Sequence, residues 1–216
     1  MKKFFLILLI ACSINQLVYG QTNTFVPVTD FGIRQGANLS FVEFSPSIAG
    51  KMDYGYNGGL VFRHTNEELF AVQVELNFSQ KGWIEDFDTI PNTYNRKLNY
   101  IEIPFMAQIY FGKRKLNYYV NLGTAFAYLI SEKETMEIND PLYTREYYNK
   151  PIENNFDYSV VAELGIRYDS KIGAFNFGGR YYYTVTSLYK FNAANIYEIQ
   201  RNQVINISLT YFIFSK

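Results

Sequence analysis

Metal binding and acid–base chemistry in this chain fall mainly to a short roll of groups: one histidine, one cysteine, 20 Asp and Glu side chains and 20 Lys and Arg side chains. The lone His64 has no Ser and no Asp or Glu at a spacing that would assemble a nucleophile with its base, so contact with a surface or a headgroup is the expected role. Glu75 and Glu102 form a carboxylate pair able in principle to act as acid and base, yet no feature brings a substrate to them. Glu85, Asp86 and Asp88, then Glu132, Glu134, Glu137 and Asp140, are acidic runs without the fixed ligand spacing of a calcium loop, and read as a solvated rim. No catalytic residue, metal ligand or cofactor is assigned. The more informative charges are Arg34, Arg63, Arg167 and Arg180 with Glu75, Glu102 and Glu163, because all seven fall on the same side of alternating segments.

Those segments are strands. In Phe70 to Lys81, the residues Phe70, Val72, Val74, Leu76 and Phe78 lie on one face and Ala71, Gln73, Glu75, Asn77 and Ser79 on the other, an unbroken period of two. Seven further stretches repeat the rule, at Phe31 to Phe41, Tyr54 to His64, Leu98 to Phe111, Leu116 to Ile130, Tyr158 to Tyr168, Ala174 to Thr184 and Asn202 to Phe214. Pro104 interrupts the fourth and predicts an edge or a bulge there. A strand of about ten residues tilted by about 40° spans ~25 Å, the height of an outer-membrane apolar band. The connections alternate in length. Short ones fall near residues 65–69, 112–115 and 169–173; long ones fall near 43–53, 82–97, 131–157 and 186–201. Aromatic residues make up 19% of the chain and sort outward into one belt near the short turns and another near the long loops, as interfacial anchoring demands. These features predict an all-β, eight-stranded antiparallel up-and-down transmembrane β-barrel over residues 21–216, with apolar side chains toward lipid. A soluble ligand-carrying barrel would need the opposite phase.

Residues 1–20 read as a signal peptide, with Lys2 and Lys3 before the apolar run Phe4 to Ala11 and cleavage after Gly20. The competing reading is a lipidation site at Cys12, which leaves an unusually short apolar core. Simple cleavage removes the cysteine and with it any disulfide or thiolate site. Balanced charge and a pI near 6.6 give no electrostatic footprint for nucleic acid.

The stretches GIRQGANLS, GYNGGLVF, VELNFSQKG, YIEIPFMAQIYF and NLGTAFAYL resemble the small porin-like outer-membrane β-barrel domain family of Gram-negative bacteria, the SQKG and IPF segments most specifically. The resemblance implies outer-membrane location and this fold, and implies little about activity. Such barrels often end on an aromatic residue read by the assembly machinery; here Ser215 and Lys216 follow Phe214, which has the inward phase.

Eight strands enclose a lumen that side chains can fill. Counted from the short turns, Glu75, Glu102, Glu163 and Arg180 should meet near mid-depth, with Arg34, Arg63 and Arg167 at the periplasmic mouth. A structural salt-bridge plug is the expectation; a narrow path favouring anions is the alternative. Trp83, Tyr143, Tyr147 and Tyr148 in the long loops are candidate contact residues. The function expected is non-enzymatic, a binding or structural role through the exterior loops, with slow passage of small solutes or an accessory part in secretion or assembly as alternatives. The expected partners are outer-membrane lipid, the barrel-assembly machinery and an unidentified extracellular or periplasmic protein.

Overall fold

The computed structural model describes residues 25–87, 92–113, 115–140, 142, 144–190, 196–197 and 199–213. The expected leader, Cys12 and the C-terminal Phe214 lie outside the described residues. Eight strands, β1 (Val28–Ser45), β2 (Gly50–Glu67), β3 (Phe70–Glu85), β4 (Thr93–Lys113), β5 (Leu116–Glu137), β6 (Phe156–Asp169), β7 (Ala174–Thr184) and β8 (Ile199–Ile213), pair with their sequence neighbours. The ring closes through an antiparallel β1–β8 seam from Phe31↔Ile213 to Ser45↔Ile199. Closure leaves no free edge across the membrane, which a lipid-facing backbone requires.

Alternation sets the two faces. Phe31, Ile33, Leu60, Leu76, Ile103, Leu122, Leu164 and Leu209 project outward and are exposed, while Arg34, Glu75, Glu102, Glu163 and Arg180 are buried inside. A continuous apolar exterior of this extent is satisfied by hydrocarbon and not by water. Two of the short turns carry a glycine in the positive-φ region, Gly112 at 133° and Gly173 at 147°, where a side chain would strain the backbone.

Every expected strand is present, but several run on past their expected ends on the long-loop side. β3 continues to Glu85, β4 starts at Thr93 and β5 ends at Glu137, so the second connection shrinks to residues 86–92 while the third keeps 138–155. In these extensions the pattern inverts: Trp83, Tyr94 and Leu98 point inward and are buried, and the outward stripe passes through Gln80, Asn95, Lys97 and Asn99. Strand pairing persists because the backbone needs its hydrogen bonds whatever the side chains do.

The ladders depart from expectation at two points. Pro104 creates neither an edge nor a bulge; the β3–β4 register runs from Val74↔Phe105 to Asn77↔Glu102 without a shift, and the ladder skips the step at the proline, which has no N–H to give. A true bulge sits between β4 and β5, where Asn99 pairs with Ser131 and Tyr100 with Leu129, leaving Ile130 as the extra residue. Beyond it the phase of β5 flips.

Leu122 lies at the middle of the outward stripe of β5, 55% exposed. Leu122→Arg is expected to cost about 2–4 kcal/mol of unfolding free energy for the barrel in lipid vesicles. Denaturant titration checks it, and a near-neutral effect would mean that this face does not meet hydrocarbon.

Candidate functional site

The lumen is built in layers, each setting buried cations against carboxylates. At its centre Arg180 is a hub: Nε and Nη2 donate to Glu163 Oε2 at 2.8 and 2.6 Å, while Nη1 and Nη2 donate to Glu75 Oε2 and Oε1 at 2.9 and 2.6 Å. Arg34 completes the square, donating from Nη1 to Glu163 Oε1 at 3.2 Å and lying 3.7 Å from Glu75 Oε1. Tyr119 and Asn121 donate to Glu163, and Gln73 and Asn77 donate to Glu75. Two arginines thus face two glutamates with the remaining lone pairs engaged, the condition under which buried charges are tolerated. Space comes from Gly165 and Gly178, where a Cβ would collide with the Tyr119 ring or the Glu163 carboxylate. Arg34 therefore belongs to this central group and not to the periplasmic mouth: its backbone pairs with Thr210 of β8, and its side chain reaches on to Asn206, to which it donates at 2.9 Å.

Glu102 sits in the next layer toward the exterior, 3.0 Å from the Lys81 ammonium, which also lies 3.6 Å from Asp157. Lys81 packs over the rings of Tyr100 and Tyr182 at 5.0 and 5.6 Å. Asp157 is held by Ser159, Thr184 and Asn202. Lys81 was legible as the next inward step after Ser79; Asp157 was hidden by being read as loop.

Arg63 and Arg167 do line the periplasmic mouth. Arg63 pairs with Asp30 and donates to the Tyr110 hydroxyl at 2.7 Å, Arg167 pairs with Asp169 at 2.8 Å, and both guanidiniums lie over Phe212, at 4.3 and 5.7 Å. A cavity of about 640 Å³ opens there, bounded by Arg63, Arg167, Asp30 and Tyr110. His64 faces outward on β2, its Nδ1 2.9 Å from the Thr29 hydroxyl.

The opposite mouth is shut by an apolar cap. Phe44, Trp83, Tyr94, Leu98 and Leu129 from the strand ends pack with Tyr147, Tyr148 and Ile152 of the 138–155 connection and Leu188, Tyr189 and Tyr197 of the last one. Tyr94 and Tyr148 stack at 4.3 Å, and Phe44 and Tyr147 at 5.2 Å. Two polar latches fasten it. Arg96 donates to Glu132 at 2.7 Å, to the Tyr189 hydroxyl at 2.8 Å and to the carbonyls of Tyr147 and Lys150. Glu85 accepts from Arg145 at 2.7 Å, from Tyr148 at 2.8 Å and from Tyr147. The two connections are also tied to each other, Asn154 N donating to Leu188 O and Lys190 N to Glu153.

This placement corrects the loop reading. Trp83, Tyr147 and Tyr148, expected as exposed contact residues, are buried inside the cap, because the inverted pattern turns the strand ends into a small core that the loops must cover. Tyr143 and Asp88 lie outside the described residues. Glu132 and Glu134, expected in a solvated acidic rim, are strand residues turned inward onto Arg96 by the bulge at Ile130. Burial, then the charge of Glu85 and its hydrogen bonds, raise the Tyr147 and Tyr148 phenols above their ordinary range.

Residues 27–190 match the family model described as outer membrane protein beta-barrel domain. Among solved structures, the chain is similar to OprG of Pseudomonas aeruginosa at 13% identity, covering 87% of this chain and 97% of that one with a TM-score of 0.49. It is similar to Ail, the attachment invasion locus protein of Yersinia pestis, at 13% identity over 86% and 99% with a TM-score of 0.45. Neisserial surface protein A gives 10% identity over 84% and 96% with a TM-score of 0.40. No curated protein sequence matches the chain.

Truncating the hub should be costly. Arg180→Ala leaves two buried carboxylates short of their principal partner and is expected to lower unfolding free energy by about 3–5 kcal/mol. Denaturant unfolding in vesicles checks this; a loss below about 1 kcal/mol, the scale of an exposed pair, would show that the central network is not held together by Arg180. The cap should loosen in alkali. Phenols whose folded pKa is raised contribute stability that is intact below the unfolded value of about 10 and is lost as pH rises past it. Trp83 is the single tryptophan and is 2% exposed, so its emission should shift to the red above about pH 10 while the β signal in circular dichroism persists. An emission maximum that stays put until the barrel itself unfolds would contradict this.

Proposed function

The chain belongs to the outer membrane protein beta-barrel domain family, and on that premise we propose that it is a non-conducting, non-enzymatic barrel that acts as a binding or structural element through its extracellular cap. The observation that carries this reading is the double closure of the lumen: the Arg34–Glu75–Glu163–Arg180 square fills the middle, and an aromatic core fastened by Arg96 and Glu85 fills the outer mouth. A permeant solute would have to displace both. Ordering two long connections into a packed cap costs conformational entropy that an open pore has no reason to spend, whereas a recognition surface gains from being rigid before its partner arrives. The buried aromatic residues then serve as the support for that surface, and the exposed outer side of the same connections is the part that meets a partner. Residues 1–20 serve as the export leader and are removed on the way to the outer membrane.

A second reading, a narrow path favouring anions, draws on the periplasmic cavity with Arg63 and Arg167 on its wall. Planar-bilayer recording separates the two. The parent is expected to show no stable channel, and so are Arg96→Ala, which loosens the cap alone, and the double Arg34→Ala, Arg180→Ala variant, which opens the middle alone; a variant that combines all three changes and still folds is expected to pass small ions. Stable openings of large conductance in the parent would end the non-conducting proposal.

A further inference from the structure

The wall of the barrel is not sealed to the same height all round. β1 and β2 pair from Val28↔Thr65 to Ser40↔Asp53 and then part. Both strands go on: β1 stays paired with β8 as far as Ser45↔Ile199, and β2 stays paired with β3 as far as Gly50↔Glu85. The parting coincides with an irregularity between Met52 and Asn57 in the β2–β3 register. Between the diverging strands lies a cavity of about 220 Å³.

Its lining is mostly apolar, with Lys51, whose ammonium lies 2.9 Å from Asp86, as its one charged member. Phe41 and Met52 face outward at its rim, Ile48 lines it and packs against the cap core, and Val42, Phe44 and Trp83, all members of that core, form its floor. The outward stripe turns polar within three residues of the parting, at Glu43 on β1, and on β8 already at Gln203 opposite Phe41. Hydrocarbon would not tolerate unpaired backbone at its own depth, and the headgroup layer does. The slot therefore opens sideways at the upper edge of the lipid belt, and Phe41 and Met52 continue that belt into it.

We propose that this slot is a lipid-binding site, taking one acyl chain of an outer-leaflet lipid whose end turns up from the membrane between β1 and β2 to reach the Trp83 indole. The continuity of the slot with the lipid-facing belt selects membrane lipid over a solute arriving from water. The proposal rests on the membrane location and is independent of whether the lumen conducts.

The test uses the single tryptophan. The full barrel is placed in phosphatidylcholine vesicles in which the lipid carries bromine near the methyl end of one acyl chain or near its carbonyl end. A tryptophan at headgroup level lies far from the methyl ends at the bilayer centre unless a chain has turned up beside it. Methyl-end bromine is therefore expected to remove most of the Trp83 emission, and Ile48→Glu, or Met52→Glu should the first not show heat-modifiable migration, is expected to restore it. Emission unaffected by methyl-end bromine overturns the proposal, as does equal quenching in a folded Glu variant. Quenching by a water-soluble brominated alcohol without quenching by brominated lipid also overturns it, since the occupant would then come from solution.

Discussion

A charge inside a narrow tube surrounded by hydrocarbon can neither reach bulk water nor be left alone, and much of this structure follows from that constraint. The exterior belongs to lipid, so the alternation of each strand delivers Arg34, Glu75, Glu102, Glu163 and Arg180 to the interior together. There they must be matched in number and in geometry. The centre meets the demand with two guanidiniums against two carboxylates and amide and phenol donors on the remaining lone pairs. The glycines at 165 and 178 are part of the same solution, because planar groups of this size need wall residues without side chains.

Above the membrane the constraint reverses. Outward side chains meet water, so the strands can turn their apolar residues inward, and from Trp83, Tyr94 and Leu98 upward the tube is filled like a small soluble domain. Such a core needs a lid, which the third and fourth exterior connections supply with Tyr147, Tyr148, Tyr189 and Tyr197. The same chain thus uses a polar plug where it is wrapped in lipid and an apolar one where it is wrapped in water. The transition between them is made by two local irregularities, the extra residue Ile130 and the parted ends of β1 and β2.

The irregularities carry consequences out of proportion to their size. Because side chains alternate with a period of two, one added residue sends Glu132 and Glu134 from the outer face to the inner one, where they meet Arg96. On the other side of the barrel the loss of a few pairs opens the wall at the depth where exposed backbone is affordable. Both features lie at the rim of the barrel.

The amino-acid sequence alone determined the strand number, the pairing direction, the inward set of seven charges and the lipid-facing side, since all of these follow from local alternation repeated eight times. It could not determine which charges meet. Arg34 and Glu102 each shifted layer relative to a count from the turns, because depth in a closed ring depends on the register between strands and not on position within one. Lys81 was visible as one more step of a period already running, whereas Arg96, Glu85 and Asp157 were not, since they sit where the polarity pattern inverts and alternation reads as loop. The cap was likewise beyond the sequence: Trp83, Tyr147 and Tyr148 looked like residues offered to a partner, and only the packing of distant connections over the open end of the ring decided that they face one another.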